Sequence, residues 1–241
     1  MDVTGVVQRG VPSERLRSRR WWIGLDSWIL QDGNYTDVVA GERRQFALEL
    51  GYRRAARLAP APDPDRGRTP RCDHTGRGTS YDVCGELLRS ATQPHDDAFV
   101  LDVGLQVYTQ WMVLDDLQPP VAGAWLTGEI HLSVDPFFYI DDLARRPGMP
   151  ALIYTWTIEA VQHDLTPQIL VQPGDPRHEI PAGEGPRRVR DLSREAWRSV
   201  PRTRTWEEDG SYRLGCTLEA VAPVSTMAAS GSRSPYGPLP G

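Results

Sequence analysis

The sequence predicts a mainly β protein: one barrel- or sandwich-like domain built from two related halves, with short helical turns and a disordered loop and tail. Three observations carry that expectation. The chain of 241 residues holds 22 glycines and 21 prolines, a density of turn formers that suits many short strands. Several segments alternate apolar and polar residues at the period of two that marks a strand with one buried face. Four short patterns also return in the same order, offset by 71 to 82 positions, as a duplicated unit would leave them. Trp28-Ile29-Leu30-Gln31-Asp32-Gly33 is echoed by Phe99-Val100-Leu101-Asp102-Val103-Gly104, and Val39-Ala40-Gly41 by Val121-Ala122-Gly123. Leu48 and Leu50 return as Ile130 and Leu132, and Tyr81 and Glu86 as Tyr154 and Glu159.

Residues 1–20 read as a mobile, Arg-rich arm or a short helix. The β-domain is expected over 21–222, its halves near 21–92 and 93–165, with a C-terminal strand region at 187–222. Trp21 to Leu30 is rich in aromatic and β-branched residues and reads as a strand. Asp32-Gly33-Asn34 then supplies turn chemistry. Gln45 to Tyr52 is a second strand with Phe46, Leu48 and Leu50 on one face. Residues 53–79, with seven arginines, four prolines and almost no large apolar residue, read as a flexible loop.

Strand character resumes at Tyr81 to Leu88 and again at Ala98 to Tyr108, with Trp111 to Leu114 extending it. Trp125 to Val134 shows the clearest alternation, Leu126, Ile130, Leu132 and Val134 pointing one way. Asp141 to Arg146 reads as a short polar turn or helix, and Ala151 to Val161 as a long strand. Residues 172–188 are loop-like. Asp191 is placed to cap a helical turn running toward Trp197. Glu208-Asp209-Gly210 reads as a hairpin turn feeding a last strand, Tyr212 to Val221. The Ser-, Gly- and Pro-rich stretch 223–241 reads as a disordered tail. Stripped of its loop, the first half keeps about 30–40 ordered residues, too few to fold alone without a metal or disulfides. The two halves must therefore complete one core.

All 27 basic residues are arginine, and Asn34 is the sole asparagine. Lysine and asparagine both use AT-rich codons, so a GC-rich genome explains the arginine before nucleic-acid binding does. Cys72, Cys84 and Cys216 form an odd set with no disulfide pattern. No apolar stretch approaches the roughly 20 residues that cross a bilayer. The expected setting is the cytoplasm, with no membrane partner.

Charge is unevenly spread. Residues 81–180 carry fifteen Asp and Glu against four Arg, whereas 53–79 and 187–204 carry seven Arg each. An acidic middle repels phosphate backbones and attracts cationic partners. Asp135, Asp141 and Asp142 surround Pro136-Phe137-Phe138-Tyr139, and Asp26 and Asp32 hold the equivalent side of the other half. With Phe137, Tyr139 and Tyr35 these acids form the expected binding face. Clustered carboxylates also suit acid–base hydrolysis or a hard cation, but their spacing matches no known metal loop. Cys72-Asp73-His74 with Cys84 lacks the paired knuckles of a zinc site. No nucleophile elbow or phosphate loop is present.

The segments Trp22-Ile23-Gly24-Leu25-Asp26-Ser27-Trp28-Ile29, Asp32-Gly33-Asn34-Tyr35 and Val134-Asp135-Pro136-Phe137-Phe138-Tyr139 resemble those of an actinobacterial protein family with no assigned activity. The resemblance covers roughly residues 22–160 and implies no catalytic residue. The functional expectation is thus a soluble, non-enzymatic β-domain that binds a cationic protein partner through an acidic, aromatic-rich face, with no cofactor and no nucleic acid. The alternatives are a metal-dependent or acid–base hydrolase and a small-ligand-binding barrel. Oligomeric state is open.

Overall fold

Alternating sequence becomes paired strand in segment after segment of the chain. A computed structural model describes residues 14–33, 35–51, 58–62, 69–90, 98–110, 120–173, 185–204 and 210–220. A helical turn α1 (Glu14–Arg17) leads into β1 (Arg20–Asp26) and the short helix α2 (Ser27–Gln31). Strands β2 (Arg43–Phe46), β3 (Leu48–Gly51), β4 (Ala59–Pro60), β5 (Arg71–His74) and β6 (Ser80–Arg89) follow. The hairpin of β7 (Phe99–Asp102) and β8 (Gln106–Thr109) precedes β9 (Trp125–Val134), the short helix α3 (Phe138–Asp141) and a 3-10 turn at Leu143–Arg145. The last strands are β10 (Tyr154–Asp164), β11 (Gln168–Val171), β12 (Arg187–Arg190), β13 (Trp197–Val200) and β14 (Ser211–Ala220).

Five strands close a barrel. β9 lies antiparallel to β3, β3 parallel beside β8, β8 in a hairpin with β7, and β7 antiparallel to β6, which returns to β9. A second group hangs on the same two strands. β1 lies parallel beside β9, β14 pairs β1, β10 pairs β14, and β2 pairs β10. Since β2 runs through Ala47 into β3, this group also comes back to the barrel. β11 and β12 form a separate two-stranded arm.

One buried cluster fills both groups, because the apolar sets predicted along each strand all turn the same way: Phe46, Leu48 and Leu50 from β2 and β3, and Leu126, Ile130, Leu132 and Val134 from β9. Large aromatics join the groups. The Trp156 ring stacks on Phe46 at 5.6 Å between centroids, Trp21 meets Trp156 edge-on at 6.4 Å, and Trp21 lies 5.7 Å from Tyr81. A smaller cluster of Ala47, Val100, Tyr108, Tyr139, Leu143 and Leu152 packs beneath the segment after β9.

The structure departs from the expected elements in three places. Strand β1 stops at Asp26, and Ser27 to Gln31 is helical, since Ile29 and Leu30 turn inward together while Trp28 turns out. The first echo therefore matches a helix with a strand. The expected loop at 53–79 contains β4 and β5, and β5 aligns with β6 from Arg71 opposite Cys84 to His74 opposite Tyr81. Its Cys72 is buried in the main core. The long strand expected at Ala151 to Val161 begins at Tyr154 and runs on to Asp164. By contrast, Asp191 caps the Leu192–Arg194 turn as its spacing predicted, accepting a hydrogen bond from the Ser193 amide at 3.1 Å. Trp111 to Leu114, Glu208-Asp209 and the 223–241 tail lie outside the described residues.

Gly85 marks the tightest backbone approach. A Cβ there would meet the Asp102 carbonyl oxygen at 2.4 Å and Val103 Cγ1 at 2.8 Å. Backbone cannot swing aside as a flexible side chain does, so Gly85→Ala should cost about 1–3 kcal/mol of stability. Urea unfolding of the two proteins measures it; equal midpoints would mean that β7 does not cross β6 this closely.

Candidate functional site

β1 and β9 run in parallel with Gly24 opposite Ser133, so two residues further on Asp26 and Asp135 sit at matching strand ends. On the other edge of β9, Glu49 of β3 faces Ser133. Glu49, Asp135 and Asp26 thus lie on three neighbouring strands at one end of the sheet.

Asp135 is fully buried and well supplied with donors. Its Oδ1 accepts from the Tyr139 amide at 3.2 Å and from the Tyr108 hydroxyl. Its amide donates to the Ala47 carbonyl at 3.0 Å, and its carbonyl accepts from the Tyr35 hydroxyl at 2.9 Å. Charge-assisted bonds of this kind are what permit a carboxyl to be buried at all. Burial, then the negative Asp135 and Glu49, push the Tyr108 hydroxyl pKa upward, so it remains a donor. Pro136 keeps Asp135 extended, because the residue before a proline avoids helical angles. Phe137 then takes φ 89° and ψ −11°, a left-handed turn disfavoured for a residue with a Cβ. Its ring packs 4.9 Å from Tyr35, which fixes the turn against the end of the other parallel strand. The Tyr139 hydroxyl donates to the Pro150 carbonyl at 2.7 Å and accepts from the Leu152 amide at 3.0 Å.

Asp26, at the head of α2, does not cap that helix. It accepts instead from the Ser211 hydroxyl at 2.5 Å. Arg190 of β12 donates to Ser211 Oγ at 3.2 Å and pairs with Asp164 at 2.9 Å, tying the basic arm to the edge of this acidic end.

The structure brings together Asp26, Tyr35, Asp135, Phe137 and Tyr139 from the predicted set, but buries all of them except Asp26. Tyr35, Asp135, Phe137 and Tyr139 therefore shape the face from beneath. Asp32, Asp141 and Asp142 are exposed on the turns above. Asp142 pairs with Arg146, and the Asp141 carbonyl accepts from Arg145 at 2.9 Å. The predicted set lacked Glu49, Tyr108 and the exposed Trp28, and took Phe137 where its neighbour Phe138 is the exposed ring. Glu49 alternates with Leu48 and Leu50 like any surface residue of a half-buried strand; the pairing of β3 with β9 is what sets it beside Asp135.

Cys72 and His74 share one face of β5, but neither is set up as a metal ligand. Burial pushes the Cys72 thiol up to about 12, unsuited to a thiolate ligand, while His74 Nε2 lies 3.2 Å from the Gly78 carbonyl. Among the described residues no three His, Cys, Asp or Glu side chains converge as metal ligands, and no helix is long and apolar enough to cross a membrane. No protein-family model, curated protein or solved structure matches this chain.

Burial, Asp135 and then Asp26 hold the Glu49 carboxyl up at about 7, against an ordinary 4.5. A folded pKa above the unfolded one means that this stabilisation is complete below about pH 4.5 and is lost as pH rises through about 7. Glu159 and Glu219, whose pKa values are lowered, act in the opposite sense and at more acidic pH. Denaturant unfolding from pH 4.5 to 8 should show stability falling as pH rises, and Glu49→Gln should flatten that slope. The same slope in both proteins would remove Glu49 as its source.

Proposed function

We propose that this chain is a partner-binding β-domain, that its docking face is the acidic end bearing Asp26, and that the partner presents arginine or lysine side chains. The observation that carries this reading is the pair Trp28 and Phe138, 49% and 45% exposed, standing on the two short helices that leave the neighbouring strand ends. Large aromatics beside unburied acids suit a cation with an apolar stem: the ring face attracts the charge, the carboxylate pairs it, and the stem covers the ring. The surrounding Asp32 and Asp141, with Asp142 already paired to Arg146, leave a net negative field that draws such a group in. A small-ligand-binding barrel has less support, because Leu48, Leu50, Leu101, Val107, Ile130 and Leu132 of the barrel strands are packed into the one buried cluster.

A second reading, acid–base hydrolysis, draws on Glu49 alone: a carboxyl near neutral pKa beside an exposed aspartate is the pairing such chemistry uses. Loss of a hydrolytic activity in Glu49→Gln with binding intact would favour it.

Titration of the protein with an arginine-rich peptide, followed calorimetrically, tests the docking reading. Binding should weaken as salt rises and fall about tenfold or more in the Trp28→Ala, Phe138→Ala double variant. Replacing Asp26, Asp141 and Asp142 by Asn should weaken it at least as much. No measurable binding at low salt would overturn the proposal.

A further inference from the structure

We infer that the end of the sheet carrying Asp26 is a self-complementary surface through which two copies of this chain associate about a two-fold axis. The inference rests on the docking reading above and names the cationic partner as the basic arm of a second copy.

Seven large apolar side chains are exposed among the described residues, and five of them belong to this end: Trp28 on α2, Phe138 on α3, and Leu165, Leu170 and Leu192 along the arm. They fall into two halves of opposite sign. The α2 and α3 half carries Asp26, Asp32, Asp141 and Asp142 against Arg145 and Arg146, a net negative side; the arm carries exposed Arg187, Arg188 and Arg194, with Leu170 directly opposite Arg188 in the β11–β12 pairing and 61% exposed. The seam between the halves is built: Asp164 pairs with Arg190, Arg190 reaches Ser211, and Ser211 donates to Asp26.

A patch of one sign would repel its own copy. A patch that is acidic on one side and basic on the other matches itself, because a half-turn about the seam sets each acidic half on the partner's basic half, twice over. The apolar residues follow the same rule, aromatic on one side and leucine on the other, so each contact couples charge pairing with burial. Guanidinium groups suit the task, since they lie flat on rings and pair carboxylates through two bonds.

Sedimentation of the full chain at about 50 mM and about 1 M salt tests this, the higher salt cutting the screening length to about 3 Å. A dimer at low salt that dissociates at high salt is expected. Arg187→Glu with Arg188→Glu and, separately, Asp141→Arg with Asp142→Arg should each give monomers of unchanged circular dichroism. Mixed in equal amounts, they should restore a dimer, because the reversed signs match again in both contacts. A wild-type monomer at every concentration, or no dimer on mixing, overturns the inference. A monomer that still binds the arginine-rich peptide, and loses it on Asp141→Arg with Asp142→Arg, overturns the dimer but keeps the docking face; a monomer that binds no peptide removes both.

Discussion

The Tyr81 hydroxyl holds the two strand groups together where hydrogen-bonded pairing gives out. β9 pairs with β6 as far as His131 and with β1 at Ser133, so β1 and β6 meet at a fork with no ladder between them. At the fork Tyr81 accepts from the Trp22 amide at 2.6 Å and donates to the Trp22 carbonyl at 3.1 Å. One side chain thus does what a neighbouring strand would do. Tyr154 brackets Gln106 in the same way, at 2.7 and 3.0 Å. Unpaired backbone groups in a buried position cost about 1–3 kcal/mol each, so these hydroxyls are as structural as the ladders they extend. The guanidinium of Arg19, 4.6 Å over Trp21 and 5.6 Å over Tyr81, closes the fork from outside.

The acidic end depends on that fork. Only because β1 is held parallel to β9 do Asp26 and Asp135 finish side by side, with Glu49 across from them. The left-handed turn at Phe137 is disfavoured on its own and persists because its surroundings fix it: Tyr35 covers its ring, and the Tyr139 amide just beyond it is tied back to Asp135. Buried tyrosines therefore serve twice, once to join strands and once to hold a carboxyl out of water.

Much of the architecture was legible in the residues. Strict alternation in β9 and in Phe46, Leu48 and Leu50 placed those strands and their inner faces, and the Asp191 cap followed from its side-chain chemistry. The failures share a physical cause. Trp21 to Leu30 is apolar at too many successive positions for period two and period 3.6 to be told apart, and the change to helix at Ser27 is decided by which residues find core. β5 buries a single side chain, Cys72, so its four residues looked like the rest of an arginine-rich loop. At the acidic end the aspartates were visible as sequence neighbours, but Asp141 and Asp142 face solvent while Glu49, distant along the chain, belongs beside Asp135. Long-range pairing, absent from local pattern, made the difference.

The lack of lysine has a consequence for how this surface answers its surroundings. Every positive side chain is a guanidinium, which keeps its proton at any pH that a folded protein survives. The basic arm is therefore a constant. Carboxyls do change state, and Glu49, next to the Asp26 that receives the Ser211 hydroxyl, is the one raised to about 7. A shift in acidity around neutrality changes the charge behind the acidic end at Glu49 and leaves the arginines of the arm as they were.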